Sequence, residues 1–158
     1  MPAEPDNNTT RILSAELIAK ECVAVRLRLL TRAVSRIYNK ALRPHGITIS
    51  QMNILVAVSY MGKSNHQQVC SALSLDKSTL SRDVERMIDK GWLVSLAGHD
   101  GRTSLLRVTS AGQKLLSRAS PAWRHAQEQA TALLGEATLA SLGRAVSAVR
   151  SHKSTEPR

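Results

Sequence analysis

The period of the apolar positions changes several times along the chain, and each change marks an element. From Ser14 to Leu42 the residues Val23, Leu27, Leu30, Val34, Ile37 and Ala41 recur at spacings of 4, 3, 4, 3 and 4. This heptad-like stripe predicts an amphipathic helix, stopped by Pro44 and Gly46. Ser50 to Met61 reads as a second helix, with Met52, Leu55, Val56 and Tyr60 or Val58 available to a core. Gly62 to Asn65 breaks it. His66 to Leu73 predicts a short helix with Val69, Cys70 and Leu73 inward, followed by a turn at Ser74 and Leu75.

The next stretch, LDKSTLSRDVERMIDKGWL, starts polar and becomes striped. Asp76 is placed as an N-cap, because its carboxylate accepts from the first free backbone N–H groups. Leu80, Val84, Met87 and Ile88 form the expected buried face, and Gly91 the left-handed stop. After Gly91 the period falls to two. Leu93 to Leu96 and Ser104 to Val108 read as paired strands. AGHDGRT joins them, with Gly98 and Gly101 permitting positive φ. Thr109 caps a helix running towards Leu134, in which Pro121 predicts a kink or break near Ser120. After Gly135, Leu139, Leu142, Val146 and Val149 are spaced 3, 4 and 3.

The expected fold class is mainly α with a small β-hairpin. The middle elements match a winged helix-turn-helix, flanked by N- and C-terminal helices. Expected boundaries are a tail at 1–10, an N-terminal helical region at 11–46, the central lobe at 47–112 with its wing at about 93–108, C-terminal helices at 113–152, and a tail at 153–158. The narrow seams at both ends suit packing within one monomer or a helical dimer interface. Leu139, Leu142, Val146 and Val149 are the residues assigned to dimerisation.

Charge turns this outline towards a partner. The net charge is +10, and aromatic content is 3% with no Phe. From Cys22 to Leu75 there is no Asp or Glu, while Arg26, Arg28, Arg32, Arg36, Lys40, Arg43 and Lys63 all fall there. That balance favours nucleic acid or another anionic partner, although any one of these residues could belong to a solvated helix face. A duplex reader needs cations for phosphates and side chains that reach base edges. The helix after Asp76 offers Ser78, Thr79, Ser81 and Arg82 away from its apolar stripe, with Lys77 and Arg86 for phosphates. Hydroxyls can donate to phosphates or read bases, and an arginine fork fits guanine O6 and N7. A polar helix start is also, by itself, an ordinary cap. The hairpin tip, with His99, Asp100 and Arg102, favours the groove-reading alternative, because an arginine there can enter a minor groove while Asp100 holds it in place.

Here the chain becomes recognisable. Ser78-Thr79-Leu80-Ser81-Arg82, Lys90-Gly91-Trp92-Leu93, Asp100-x-Arg102 and Val108-Thr109-x-x-Gly112 resemble the MarR (multiple antibiotic resistance regulator) family of winged helix-turn-helix repressors. The upstream stretches RLRLLTRAVSRIY and LRPHGITISQ are also similar, so the resemblance covers about Cys22 to Arg150. It implies a homodimer joined by the terminal helices and bound to a pseudo-palindromic operator in double-stranded DNA. It implies repression relieved by a small phenolic or other anionic effector.

Competing readings follow from particular residues. Cys22 is the candidate redox residue, because some members of that family sense hydroperoxides through a cysteine near this point. Here it lies sixteen residues before Tyr38, where the sensors are expected to have fourteen. A two-residue shift turns a helix by about 200°, and Ile49 stands where the sensors' second tyrosine is expected. Cys70 is expected in the core as a small hydrophobe. His66 and Cys70 have metal-ligand spacing but no clear third ligand, so no metal or other cofactor is expected. No GxSxG, phosphate-binding glycine loop or HExxH occurs, so no enzyme is expected. A non-specific basic nucleic-acid binder is less favoured, because few aromatics are present to stack on bases. No secretory segment opens the chain and no apolar run approaches ~18 residues, so the expectation is a cytoplasmic protein with no membrane partner.

Overall fold

The computed structural model describes residues 15–98 and 103–153. Two compact units divide at Arg36. In the first, residues 15–21 are helical and helix α1 begins after Cys22, running Val23–Leu42 across the division. The expected continuous helix is therefore interrupted at Cys22, although Cys22 N still donates to the Ile18 carbonyl at 3.0 Å and Arg26 N to the Cys22 carbonyl at 3.2 Å.

In the second unit a 3-10 turn, Arg43–His45, ends at Gly46, whose φ of +69° is the left-handed value glycine tolerates. Thr48 and Gln51 then form a reciprocal capping box that starts α2, Ile49–Met61. This helix has Met52, Ile54, Leu55 and Val58 buried. Of the two alternatives Tyr60 and Val58, the structure buries Val58 and leaves Tyr60 93% exposed; Val56, also expected in the core, is 50% exposed, and Ile54 is buried as well. Because α2 is packed on more than one side, its sequence carries no single stripe from which a face could be chosen.

The connection after α2 contains a short strand, β1, Ser64–Asn65. Asn65 and Gln68 form a second capping box and start α3, His66–Leu73. Val69 is buried there, whereas Cys70 and Leu73 are only half-buried, so Cys70 is not the core residue expected of it. Helix α4, Lys77–Asp89, is capped by Asp76 and anchored by buried Leu80, Val84 and Met87. Ile88, expected beside them, is exposed at the rim. The helix ends as foreseen: Gly91 has φ +71°, its N donates to the Ile88 carbonyl, and Trp92 N donates to the Met87 carbonyl. This bond pair satisfies two of the last free carbonyls.

Strands β2, Leu93–Ala97, and β3, Ser104–Val108, pair antiparallel from Leu93 opposite Val108 to Ala97 opposite Ser104. Strand β1 adds to the other edge of β3, with Ser64 opposite Leu106, giving a three-stranded sheet in the order β1-β3-β2. The expected hairpin is thus a small sheet whose inner residues, Leu93 and Leu106, are buried.

Thr109 caps α5, Ser110–Leu134. No break occurs at Ser120: the helix runs through Pro121. Proline removes the donor for the Ser117 carbonyl, but both residues are exposed, so water can satisfy it. Buried Leu115, Ala119, Ala126 and Ala130 hold the helix on both sides of the proline. Helix α6, Glu136–Lys153, follows Gly135. Among the described residues no helix is long and apolar enough to cross a membrane.

Gly112 is a point of close approach. A Cβ there would meet the Trp92 carbonyl oxygen at 2.4 Å and Val108 Cγ1 at 2.7 Å. Gly112→Ala should lower unfolding free energy by about 1–3 kcal/mol through overpacking. Gly143→Ala, with nothing within 4 Å of the added carbon, should leave stability unchanged or raise it. Urea unfolding of both variants checks the contrast.

Candidate nucleic-acid interface

The start of α4 is built around one carboxylate. Asp76 accepts from Thr79 N at 2.8 Å, from Ser78 Oγ at 2.6 Å and from Thr79 Oγ1 at 2.6 Å. The Ser78 hydroxyl, the Thr79 hydroxyl and the Thr79 N–H together hold the Asp76 carboxyl well below the usual carboxylate range. The sequence offered these hydroxyls as donors to phosphates or as readers of bases; in the structure Ser78 and Thr79 donate to Asp76. Lys77, Ser78, Thr79, Arg82 and Arg86 are exposed, and Ser81 is half-buried. They rise above Leu80, Val84 and Met87, which anchor the opposite side of the helix in the core.

Two further contacts hold this helix in place, and neither was read from the sequence. Asp83 accepts from Ser50 Oγ at 3.1 Å and from Gln51 Nε2 at 3.5 Å, tying α4 to the first turn of α2. Lys90 donates to the Gly46 carbonyl at 2.9 Å and lies 4.5 Å from the centre of the Trp92 ring, a cation–π distance. Local patterning gives no signal for the bonds of Asp83 or for the Lys90–Gly46 bond, because those partners are more than thirty and more than forty residues away along the chain.

The hairpin is joined to the same helix. Thr109 Oγ1 donates to the Gly91 carbonyl at 2.6 Å, and Thr109 N to the Trp92 carbonyl at 3.0 Å. Near its far end Gly98 N donates to the Thr103 carbonyl at 2.6 Å. The tip residues His99, Asp100 and Arg102 lie outside the described residues. Between α3, α4 and the far end of β3 runs an open groove of about 770 Å³, lined by His66, Gln67, Cys70, Lys77, Ser81 and Ser104 among others. His66 and Cys70 thus share one wall, but among the described residues no group of three or more His, Cys, Asp or Glu could hold a metal ion.

The candidate residues elsewhere have simpler surroundings. Cys22 is half-buried with a free thiol. Tyr38 is buried and donates its phenol proton to Gln127 Oε1, and burial pushes its pKa up. On α6, Leu139 and Leu142 are half-buried, while Val146 and Val149 are 49% and 58% exposed.

The family model described as MarR family matches residues 45–103, from the turn before α2 to the far end of the hairpin. The transcriptional regulator MosR of M. tuberculosis, solved in complex with DNA, is 31% identical. That match covers 82% of this chain and 99% of that one, with a TM-score of 0.68. This chain belongs to the MarR family. Two further solved structures share the MarR-family fold. A MarR mutant from E. coli complexed with operator DNA has TM-score 0.75 and 20% identity, covering 84% of this chain and 96% of that one. BpsR of Bordetella bronchiseptica, described with regulation of DNA binding by 6-hydroxynicotinic acid, has TM-score 0.71 and 21% identity, covering 82% and 95%. Among curated relatives, the match spans 61% of a Bacillus subtilis regulator and 54% of MarR from Salmonella typhimurium.

The cap makes a pH prediction. The native Asp76 carboxyl titrates below its unfolded value, so its contribution is fully present above about pH 4 and is lost as pH falls towards the native value. Asp76→Ala should therefore be less stable than wild type at neutral pH, with a gap that narrows below about pH 4. Urea unfolding across that range checks the sign.

Proposed function

We propose that this chain is a homodimeric regulator that binds a pseudo-palindromic operator in double-stranded DNA and represses transcription until a small phenolic or anionic effector releases it. The observation that carries this reading is the exposed polar and basic start of α4, fastened to a hairpin and anchored by a buried stripe. Lys77, Ser78, Thr79, Ser81, Arg82 and Arg86 are proposed to enter or flank a major groove, with His99, Asp100 and Arg102 at an adjacent minor groove. MosR in complex with DNA and MarR in complex with operator DNA support the partner. Regulation of BpsR DNA binding by 6-hydroxynicotinic acid supports a small-molecule effector. Regulation, rather than an enzymatic reaction, is what MarR-family proteins carry out.

The proposed layout keeps 47–112 as the DNA-binding lobe and assigns 11–46 and 113–152 to dimerisation. Val146 and Val149 are apolar side chains of α6 left largely uncovered in the single chain, and a second copy would remove them from water. Recognition helices of the two copies would then fall about one DNA turn apart. Effector release follows if the effector binds better to a spacing of the lobes that does not match the grooves.

Binding of a selected duplex should weaken steeply with salt, because neutralised phosphates release counterions. Lys77→Ala should reduce the slope of log affinity against log salt by about 1 without changing base preference. Arg82→Ala should alter base preference, and Arg102→Ala should weaken binding. Fluorescence anisotropy across a salt series tests all three; wild-type behaviour from both arginine variants would overturn the docking scheme. Val146→Asp, at a site already half in water, should lower dimer content in sedimentation velocity while preserving the fold. A wild-type protein that sediments only as a monomer would overturn the dimer.

A further inference from the structure

The hydroxyl protons at the start of α4 are already committed. Ser78 gives its proton to Asp76 Oδ1 and Thr79 to Asp76 Oδ2, each at 2.6 Å. A hydroxyl has one proton and two lone pairs, and an ionised carboxylate has only lone pairs. Asp76, Ser78 and Thr79 are all exposed. Side by side, their side chains offer outside partners acceptors and no donor.

We propose that Asp76 sets the base preference of the reading helix: by holding the protons of Ser78 and Thr79, it presents their oxygens as acceptors that select an exocyclic amino group, adenine N6 or cytosine N4, over the keto groups of guanine and thymine on the contacted strand. This rests on the DNA-binding reading above and specifies which part of the duplex the helix start meets. In the major groove adenine and cytosine offer amino donors, whereas guanine and thymine offer only acceptors at the equivalent edge. Phosphate oxygens are acceptors too, so the same patch turns away from the backbone. Phosphate contacts fall instead to Lys77 and Arg86, and the keto-reading donor is Arg82 a turn further on.

The polarity is held firmly. Turning either hydroxyl outward breaks a hydrogen bond to a carboxylate, roughly twice as strong as one between neutral groups. The bonds that fix the hydroxyls also keep Asp76 ionised, so the patch does not change sign in the neutral range. Asp76 is thus a positioning residue that acts on DNA through its two neighbours.

The test is selection from a randomised duplex library with the full chain. Ser78→Ala and Thr79→Val first locate the base positions that depend on the hydroxyls. At those positions, replacing the adenine by purine, which lacks the N6 amino group, or the cytosine by 2-pyrimidinone, which lacks N4, should weaken wild-type binding. Asp76→Asn replaces one acceptor oxygen with a donor, and Asp76→Ser leaves a single oxygen; both residues still cap helices well, and thermal melts confirm folding. Both variants should lose amino-over-keto discrimination at those positions by roughly two- to ten-fold, the worth of about one hydrogen bond, while preference at the position read by Arg82 stays unchanged. A wild-type protein that binds the duplexes lacking these amino groups as tightly as the selected duplex overturns the inference. So does an evenly weaker Asp76→Asn profile with its base order intact, which would leave Asp76 a cap and nothing more. A wild-type protein that enriches no duplex overturns the DNA-binding reading itself, and the inference with it.

Discussion

The carbonyl of Trp92 is where the central lobe is fastened together. It follows Gly91, the left-handed residue that ends α4, and it accepts from Thr109 N at the head of α5. The Thr109 hydroxyl bonds the neighbouring Gly91 carbonyl and also caps α5 through Gly112 N. Gly112 has no Cβ to push this carbonyl away. One short stretch of backbone therefore holds the end of α4, the roots of both long strands and the start of the next helix. Strand β1 holds β3 at Leu106 and Leu105, and from there the register to Ala97–Ser104 carries the hairpin outward.

At the other end of α4 the same economy applies to polar groups. Asp76 satisfies the free N–H of Thr79 and both nearby hydroxyls. Asp83 takes Ser50 and Gln51 from the first turn of α2, and Gln51 also belongs to that helix's capping box. Helix α4 is consequently oriented by polar bonds at its start, by Leu80, Val84 and Met87 along its buried face, and by backbone bonds at its end. A side chain that must reach a base edge gains from such support, because a rigid mount loses less freedom on binding.

The surface left over has two characters. The acid-free run from Cys22 to Leu75 carries seven basic residues, and the start of α4 continues that sign with Lys77 and Arg82. Apolar side chains are also left uncovered, Val23, Val25, Leu27 and Leu29 on α1 and Val146 and Val149 on α6. Charge of one sign suits a polyanion at long range, whereas uncovered apolar side chains gain only from a close-packed apolar neighbour. The two kinds of surface therefore suit two different partners, which is why DNA and a second copy enter the functional reading separately.

Read from residues alone, the chain determined most of its own local structure. Asp76, Thr109, Gly46 and Gly91 act where their chemistry placed them, because caps and left-handed stops depend on neighbours a few residues away. The stripe of Leu80, Val84 and Met87 was legible for the same reason, since one helix face met one core. Tertiary structure decided the rest. It exposed Tyr60 and Val56 and buried Ile54, because α2 is packed from more than one side. It drew Ser64 and Asn65 into a third strand, which two residues cannot announce without a partner edge. It carried α5 past Pro121 by burying the helix on both sides of the lost bond. The Ser78 and Thr79 protons point to Asp76, two and three residues away, a local arrangement that exists only once the helix cap has folded. A sequence shows that a hydroxyl is present; only the positions of the surrounding acceptors determine whether it has a proton left to give.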